Sequence, residues 1–350
     1  MRHRGSTIQD VAKAAGVSAS SVSNFLNERH DQMSPDTRER IAQAVQTLGF
    51  TPNTAARQLK TGHAPLLGLL VPSVANPFFG ELALAVEQAA NRRGFRVVLC
   101  NTLRDPQRER SFMEELVAGG VRGLLGASAP ADAATIEWLR QRAIAFAAFD
   151  MRHTDIHMDD VDIVTIDNQQ AIGMAVDHLV AQGHRSIAYA TALPLSPSRQ
   201  ARLAGYRQAM ARHGLQAIEI SREPTPGQSP YGDTALADIG RAAAAEYLAL
   251  AQRPTGIVCL NDMFAMGMAS GLRAAGLSIP GDVSLVGVDN ISLCDVLSPG
   301  LTSVAQPFDL IAEAAVEQIV GRIRDPQQQP RETVLAPRLV QRGSTAAPHS

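Results

Sequence analysis

The sequence predicts an N-terminal all-α helix-turn-helix head followed by an α/β core of two doubly wound lobes. Within residues 7–48, three stretches have helical hydrophobic spacing, and a glycine separates the first two. From residue 66 onward, short apolar runs alternate with helical stretches, a pattern typical of parallel strands that are covered on both faces. These strands are too numerous for one comfortable sheet, so we expect two lobes.

The first predicted helix begins after Thr7 and is closed by Gly16. Thr7 can cap its N-terminus, and Asp10 lies in the electropositive first turn. The apolar residues of this stretch fall on one stripe, made of Ile8, Val11, Ala12 and Ala15. Gly16 supplies the positive φ that a tight turn between helices requires.

The second predicted helix covers residues 18–27, and the third covers residues 34–48. Ser18 caps the second helix, while Ser34 and Pro35 give the third a cap and a proline at its first position. The inward-facing residues are Val22, Phe25, Leu26, Ile41, Val45 and Leu48. The outer face of the second helix is small and hydrogen-bonding with almost no charge, which suits contact with base edges in the major groove. A generic three-helix bundle without a ligand is the alternative.

The core contains nine apolar runs that we predict as strands. They cover residues 66–71, 95–99, 123–125, 144–149, 163–166, 187–190, 257–260, 284–288 and 334–340. In open α/β sheets, ligands bind outside the carboxyl ends of the strands. That rule selects residues 73–79, 191–202, 261–262 and 289–290, together with Asp150, as candidate ligand contacts.

The basic residues are concentrated at one end of the chain. The net charge of the 350 residues is −2, but residues 1–63 hold eight Lys and Arg against five Asp and Glu, whereas the remainder holds 24 against 29. A mildly basic head on an acidic body favours nucleic-acid contact through the head only. The sequence has no G-x-G-x-x-G after a strand, no P-loop and no G-x-S-x-G elbow, so it does not predict an enzyme.

The N-terminus and the cysteines indicate a cytoplasmic protein. No apolar run follows the first residues as in a secretory signal, and no segment is long enough to span a membrane. The three cysteines are odd in number and widely spaced, as in a reduced protein where each is a small buried hydrophobe. We expect no metal and no cofactor.

Six strings of the sequence carry a resemblance. They are TIQDVAKAAGVSASSVSNFLN, MSPDTRERIAQAVQTLGFTPNTAARQLKTG, RLAGY, VCLND, IPGDVSLVGVDN and VQRGST. They resemble the LacI/GalR family of bacterial transcriptional regulators. The resemblance implies the periplasmic-binding-protein type I arrangement, with two lobes, three crossover strands and a ligand cleft between the lobes.

The resemblance also implies domain boundaries. The chain would divide into a helix-turn-helix head at 1–50, a hinge helix and linker at 51–65, an effector-binding and dimerisation domain at 66–345 and a tail at 346–350. Within the large domain we place the crossings near Thr165, Ile291 and Asp325. The N-lobe would then comprise residues 66–165 and 292–325, and the C-lobe residues 166–291 and 326–345.

An effector site follows from the same resemblance. Its candidate residues are Phe78, Phe79, Ser196, Ser198, Arg202, Asn261, Asp289 and Phe308, to which the strand-end rule adds Asp150. Guanidinium and carboxylate groups make paired hydrogen bonds to vicinal hydroxyls, and an aromatic ring covers the apolar face of a sugar. A pentose or hexose is therefore the first expectation for the effector, and a nucleobase or nucleoside the second. Structural roles are the alternatives: one of the two phenylalanines could belong to the core, and Arg202 could be an ordinary salt-bridge partner.

Other polar residues near the predicted cleft have structural interpretations. Asp262 is expected to cap the helix that follows it, and Asp167 to cap the helix after the fifth strand. His178 and His184 flank a helix end, and nothing nearby completes a metal-ligand set, so both are expected to be structural.

For the head and hinge, the resemblance implies contacts with double-stranded operator DNA. The candidate residues are Thr7, Ser18, Ala19, Ser20, Ser21, Ser23, Asn24, Asn27, Asn53, Arg57, Leu59 and Lys60. Asn24 stands where several relatives have arginine, so their guanine contact is in doubt, and asparagine favours adenine. Ala19 and Ser20, at the usual discriminating positions, are small and would read a thymine methyl group or little at all.

The hinge is central to the predicted mechanism. Asn53 can cap a helix over residues 54–60, which is too short to be stable alone in water. Ala55 and Ala56 are small enough for two such helices, one per subunit, to pack closely. Leu59 would then point toward the DNA, where an apolar wedge can enter a base step and bend the duplex through the minor groove. A flexible linker with an incidental leucine is the alternative.

These features predict a homodimer that binds a two-fold symmetric operator and represses transcription, in the cytoplasm and at the nucleoid when bound. A small molecule in the cleft would change the angle between the lobes, with a coupling of about 1–3 kcal/mol of either sign. The last ten residues carry no leucine heptad, so a tetramer is not expected. Activation instead of repression is left open. A solute-binding protein of the same fold is the alternative from another class, although it would need export and would carry no helical head.

Overall fold

The computed structural model describes residues 6–26, 33–50, 65–127, 132–150, 161–193, 195–223 and 233–349. The chain forms two compact units, Met1–Ala64 and Pro65–Ser350. Each unit has an apolar core of its own.

The head contains α1 (Ile8–Ala15), α2 (Ala19–Leu26) and α3 (Pro35–Thr47), as the sequence predicts. Thr7 and Asp10 form a capping box, in which Asp10 N donates to Thr7 Oγ1 over 3.3 Å and Thr7 N donates to Asp10 Oδ2 over 2.8 Å. Gly16 follows α1 with a φ of 64°. The buried core residues are Val11, Ala12, Ala15, Val22, Ile41, Ala44 and Phe50. Four residues that we predicted to face inward are only partly buried against them, namely Phe25, Leu26, Val45 and Leu48.

The second unit alternates strands and helices along its length. In chain order its elements are β1 (Leu66–Val71), α4 (Pro77–Arg92), β2 (Arg96–Asn101), α5 (Pro106–Ala118), β3 (Gly123–Gly126), α6 (Ala133–Arg140), β4 (Ala145–Phe149), β5 (Asp162–Ile166), α7 (Asn168–Ala181), β6 (Ile187–Ala192), α8 (Pro197–Arg212), β7 (Ile218–Arg222), α9 (Asp233–Leu248), β8 (Gly256–Cys259), α10 (Asp262–Ala274), β9 (Ser284–Asp289), α11 (Leu293–Val296), β10 (Thr302–Ala305), α12 (Phe308–Arg324), β11 (Glu332–Leu335) and β12 (Arg338–Val340). Asn76, Asp105 and Ser196 cap α4, α5 and α8, and a proline follows each cap.

The strands form two six-stranded sheets. The first has the order β11-β5-β4-β3-β1-β2, and its described strands are parallel. The second has the order β12-β10-β9-β8-β6-β7, with β12 antiparallel to β10 and the other pairs parallel. Helices α4 and α12 pack together on the first sheet, and α7 packs on the second. These two layered sheets are the doubly wound lobes that the sequence predicts.

Two of the predicted crossings need correction. The strand β10 belongs to the second sheet and β11 to the first. The chain therefore returns to the first lobe between β10 and α12, instead of near Ile291, and leaves it between β11 and β12, instead of near Asp325. Accordingly, the predicted N-lobe segment 292–325 begins too early, and the predicted C-lobe segment 326–345 includes one strand of the other lobe.

We did not predict two of the observed strands, and one predicted strand is divided between two strands of the structure. Residues 302–305 and 218–222 form β10 and β7, although both are short and neither is a continuous apolar run. In the run 334–340, residues 334–335 end β11 and residues 338–340 form β12, with Ala336 and Pro337 between them. Proline has no N–H group to donate to a neighbouring strand, which explains the break.

Glycines allow α9 and α10 to pack backbone against backbone. A Cβ atom on Gly267 would collide with the backbone of Ala237. We predict that Gly267→Ala lowers the free energy of unfolding by about 1–3 kcal/mol, measured by chemical denaturation. Gly173→Ala in α7 is the control: no neighbouring atom lies within 4 Å of its Cβ position, so it should be neutral or stabilising by up to about 1 kcal/mol. Equal effects of the two changes would contradict close packing at Gly267.

Two histidines, the buried His184 and the half-buried His178, attach the C-terminal segment to the second lobe. Nδ1 and Nε2 of His184 lie 2.8 Å from Thr255 Oγ1 and 3.0 Å from Ala346 O, and His178 Nε2 lies 2.9 Å from Thr345 Oγ1. Both histidines therefore have the structural roles that we predicted. Ala346, which we assigned to the tail, is held by the lobe.

From these two histidines we predict that the free energy of unfolding depends on pH. Burial lowers the pKa of both His178 and His184 below the ordinary value of 6.5. As the pH falls below about 6.5, the unfolded chain therefore binds protons before the folded chain does. The free energy of unfolding decreases until the folded chain also becomes protonated, at its lowered pKa values. We expect the free energy of unfolding of the wild type to fall more steeply between about pH 7.5 and 5.5 than that of a His178→Gln/His184→Gln variant. Parallel denaturation curves for the two proteins would contradict this.

Candidate functional site

The predicted DNA-reading face of the head lies on α2. Ala19 and Ser20 are exposed, whereas Ser23 and Asn24 are half-buried. Ser18 Oγ accepts a hydrogen bond from Ser21 N over 3.1 Å and thereby caps the helix. Short side chains at exposed positions leave the backbone free to approach base edges closely.

Several candidate DNA contacts lie outside the described residues. They are Asn27, Asn53, Arg57, Leu59 and Lys60. Their roles therefore remain predictions from the sequence.

In the second unit, several residues at the carboxyl ends of strands have unusual backbone conformations. The residues Leu103, Arg104, Asp150, Asp289 and Asn290 all have φ values between 53° and 117°. They lie after β2, after β4 and at the end of β9. Left-handed backbone in residues other than glycine is costly and tends to mark functional sites, and these positions coincide with the ligand edge expected of such sheets.

Arg202 lies at the centre of a buried polar network. Its Nε donates to Asn168 Oδ1 and its Nη1 to Leu260 O, both over 2.7 Å. Nη2 lies 3.8 Å from Asp289 Oδ1, and Gln306 Nε2 donates to the same oxygen over 2.8 Å. Burial raises the pKa of Asp289 well above its ordinary value, and the charge of Arg202 opposes this rise. The network therefore places a guanidinium, a carboxyl and two amides side by side.

Two hydrogen bonds join the two lobes, and one of them involves Asn168 of this network. Asn168 Nδ2, at the start of α7, donates to Asp150 Oδ1 over 3.3 Å, and Asp150 follows β4 of the first sheet. The Ser292 amide, just before α11, donates to Glu81 Oε1 of α4 over 2.7 Å. A ligand that binds here would meet groups from both lobes.

Aromatic rings lie at the start of α4 and α12. Phe78 and Phe308 are half-buried, with ring centroids 5.3 Å apart. Phe79 is only 7% exposed and belongs to the main apolar core. The structural alternative therefore holds for Phe79, whereas Phe78 and Phe308 offer aromatic surface.

Of the three remaining predicted effector residues, Ser196 and Asn261 cap helices. Ser196 caps α8, and its Oγ lies 3.0 Å from the Oγ of the buried Ser198. Asn261 caps α10 by accepting from Phe264 N over 3.0 Å. These side chains have part of their hydrogen-bonding capacity committed within the protein.

Asp262 does not have the capping role that we predicted. It is the first residue of α10 and is fully buried; its carboxylate accepts from Ser303 Oγ over 2.6 Å and from Ile291 N over 3.0 Å. Burial raises its pKa to about 6. Asn261 is the cap because its backbone is extended, whereas Asp262 is already helical. Asp167, by contrast, caps α7 as predicted, accepting from Gln170 N over 2.9 Å.

Sequence reasoning missed Gln306 and Asn168 and did not single out Arg199. Gln306 directly follows β10, so the strand-end rule selects it once that strand is known. Asn168 lies two residues after β5, next to Asp167, which we interpreted only as a helix cap. Arg199 lies one turn before Arg202 on α8 and was included only within a range.

Within the described ranges, no three His, Cys, Asp or Glu side chains are grouped as metal ligands. Of the helices placed by the structure, none combines the length and apolar character needed to cross a membrane.

Comparison with known proteins agrees with both units. Residues 7–53 match the profile of bacterial regulatory proteins of the lacI family, and residues 176–345 match that of a periplasmic binding protein-like domain. The HTH-type transcriptional repressor PurR of Vibrio campbellii is 32% identical over 97% of this chain and 98% of its own length. The ribose operon repressor of Escherichia coli is 32% identical over 97% of this chain and 99% of its own. The chain belongs to the lacI family.

Solved structures show the same architecture for this LacI-family chain. The lac repressor dimer bound to operator and the anti-inducer ONPF superimposes with a TM-score of 0.79 at 26% identity, covering 98% of this chain and all of that one. A LacI-family regulator from Enterococcus faecium with bound ribose gives 0.70 at 28% identity, covering 81% and 99%. This LacI-family protein is therefore a DNA-binding transcriptional regulator and not an enzyme. A solute-binding role is not favoured, because the repressor relatives match it from the head onward.

Proposed function

We propose that this chain is a homodimeric repressor whose affinity for a two-fold symmetric operator is controlled by a sugar bound between the lobes. The observation that supports the sugar most strongly is the buried network around Arg202, Asp289, Asn168 and Gln306. Donors and acceptors that stand side by side match the vicinal hydroxyls of a sugar. The half-buried rings of Phe78 and Phe308 suit its apolar face.

The relatives support this effector class without deciding it. One relative is a ribose operon repressor, and similar structures hold ribose and cellobiose. The relatives named PurR are equally identical to this chain, so overall identity does not discriminate. A nucleobase or nucleoside stays the second candidate. Groups suited to hydroxyls dominate the described part of the cleft, which favours the sugar.

Coupling to DNA would act through the angle between the lobes. A sugar that bonds to Arg202 and Asp289 competes for the groups that hold Asn168 against Asp150. Altered lobe contacts change the spacing of the two hinges in the dimer, and with it the chance that residues 54–60 fold on the operator, where Leu59 enters a base step. Such a protein acts in the cytoplasm, at the nucleoid when bound.

Ligand screening by thermal unfolding of the purified full chain tests the effector class. We expect a neutral, acidic or phosphorylated sugar at a hundred times its dissociation constant to stabilise the protein by about 2.7 kcal/mol. Stabilisation by purines alone would contradict the sugar and favour the second candidate. Light scattering of the same sample should give the mass of a dimer, and a monomer would contradict the symmetric operator.

A further inference from the structure

The loop that follows β9 is fixed to the second lobe by a buried carboxylate. Asp262 is fully buried at the start of α10 and accepts hydrogen bonds from Ile291 N over 3.0 Å and from Cys294 Sγ over 3.2 Å. Ser303 Oγ donates to the same carboxylate over 2.6 Å and accepts from Asn290 N over 3.0 Å. A buried carboxylate with several donors holds its partners in one geometry. The loop therefore moves with the second lobe.

Glu81 contacts this loop from the first lobe. It lies on α4 close to Phe79 and Leu82, which are 7% and 1% exposed and belong to the apolar core, so the helix backbone is fixed at this point. Its Oε1 accepts a hydrogen bond from the Ser292 amide over 2.7 Å. Hydrogen bonds to an ionised acceptor are among the stronger ones. This bond, which we call the latch, therefore joins two backbones that are anchored in different lobes.

Both ends of the latch are carried by elements that hold proposed effector contacts. On α4, Phe78 precedes Glu81 by three residues, so the two side chains lie on one side of the helix. On the loop, Asp289 precedes Ser292 by three residues, and its carboxyl lies beside Arg202. The groups of the latch are not themselves among the proposed sugar contacts. A change in the latch therefore reports on the lobes without removing a contact to the sugar.

We propose that Glu81 is a positioning residue, which stabilises the lobe arrangement of this structure through the Ser292 amide and thereby sets the affinity for operator. This inference rests on the coupling between lobe arrangement and operator that is proposed above. In that mechanism, the sugar weakens the other bond between the lobes, from Asn168 to Asp150. Loss of the latch weakens the same arrangement without any sugar. Breaking the latch therefore imitates the sugar.

Two variants of the full chain remove the latch from opposite sides. Glu81→Ala removes the acceptor. Ser292→Pro removes the donor, because proline has no N–H group, and the φ of −55° at Ser292 suits a proline. Each variant should change the affinity for a duplex selected by the wild type about three- to tenfold, measured by fluorescence anisotropy. The direction should be the one in which a bound sugar changes the affinity of the wild type.

A double variant and sugar binding separate the latch from general damage. If the two changes break one bond, Glu81→Ala/Ser292→Pro should have the effect of either single change instead of their product. Ribose and cellobiose, which similar structures hold, are the probes for isothermal titration. A sugar that favours the arrangement without the latch should bind the variants about three- to tenfold more tightly than the wild type. Damage to the fold would weaken sugar binding instead.

Two controls match these variants. Ser292→Ala keeps the amide donor and removes only the hydroxyl, so its operator affinity should stay within about twofold of the wild type. Glu114→Ala removes a carboxylate whose bond to Arg110 Nε is equally short, at 2.7 Å, but lies within the first lobe. It should leave the affinities for operator and sugar unchanged.

The outcomes distinguish the latch from the proposed function. If a sugar shifts the operator affinity of the wild type but the latch variants bind operator and sugar as the wild type does, the latch is wrong and the sugar-responsive function stands. If the double variant shows the product of the two single effects, the two groups act separately and the latch is wrong. If the latch variants shift operator affinity but no sugar does, the latch stands and the proposed sugar fails. If neither shifts it, both proposals fail.

Discussion

Arg202→Ala is expected to abolish the response to sugar while leaving operator affinity unchanged. The guanidinium bonds Asn168 and Leu260 and lies beside Asp289, so its removal takes away the donors at the centre of the cleft. The head is a separate compact unit and should keep its fold. In thermal unfolding, the stabilisation of about 2.7 kcal/mol that a saturating sugar gives should disappear. Fluorescence anisotropy with operator DNA measures the affinity in parallel.

Two further variants guard against a simple loss of folding. Without Arg202, the buried Asp289 loses the cation that favours its charged form, so some stability should be lost. Asp289→Asn in the Arg202→Ala background should restore that stability without restoring the sugar response. Arg202→Lys keeps the charge but lacks the planar fork, and we expect it to bind sugar much more weakly. Wild-type sugar affinity in Arg202→Lys would show that Arg202 is a structural salt-bridge partner.

Leu59→Ala is expected to weaken operator binding by more than about tenfold, because the proposed apolar wedge in the bent duplex would be lost. A helix over the proposed hinge segment 54–60 would be too short to be stable alone, so we expect it to form on DNA only with such contacts. Electrophoretic mobility shift or anisotropy with the operator measures the affinity, and DNA bending should decrease in the same samples.

Leu59→Met is the matched control for the wedge. Methionine keeps the apolar length, so its affinity should stay within about threefold of the wild type. Unfolding of the core should be identical in all three proteins. If Leu59→Ala binds the operator with unchanged affinity, residues 51–65 act only as a linker. The proposed coupling between the cleft and the DNA would then be wrong.

The head was predictable because its signals are local. Thr7 with Asp10, Gly16, and Ser34 with Pro35 set the ends of the helices through bonds and dihedral preferences that span only a few residues. The structure confirms all three helices and their order. Partial burial of Val45 and Leu48 differs from the prediction, because periodicity gives the facing side of a helix but not how deeply each residue is covered.

The division into two lobes was predictable, but two of the three crossings were not. Pairing in a sheet is a contact between residues distant in sequence, and short strands such as β10 and β11 carry few residues with which to signal it. Pro337 marks the boundary between β11 and β12, and its missing N–H group could have located the third crossing.

The strand-end rule selected residues that the structure brings together, whereas residue type was a poorer guide to structural roles. It selected Asp150, Arg202 and Asp289. In the structure, Asn168 bonds both Asp150 and Arg202, and Arg202 lies beside the carboxyl of Asp289. Residue type misled us at Asp262, because a carboxylate at a helix start is usually a cap. Here Ser303 Oγ of β10 and Ile291 N, in the loop after β9, donate hydrogen bonds to the carboxylate oxygens of Asp262.

The central claim is that a molecule in the cleft changes the affinity of the head for a specific DNA site. The most direct measurement selects binding sites for the purified full chain from random duplexes and then titrates the selected site with and without the stabilising sugar. The account predicts a two-fold symmetric site, preferred over random duplex by about a thousandfold or more, and an affinity that the sugar shifts by about 5–150-fold. A chain that prefers no symmetric site, or whose preference is the same with the cleft filled or empty, would contradict it.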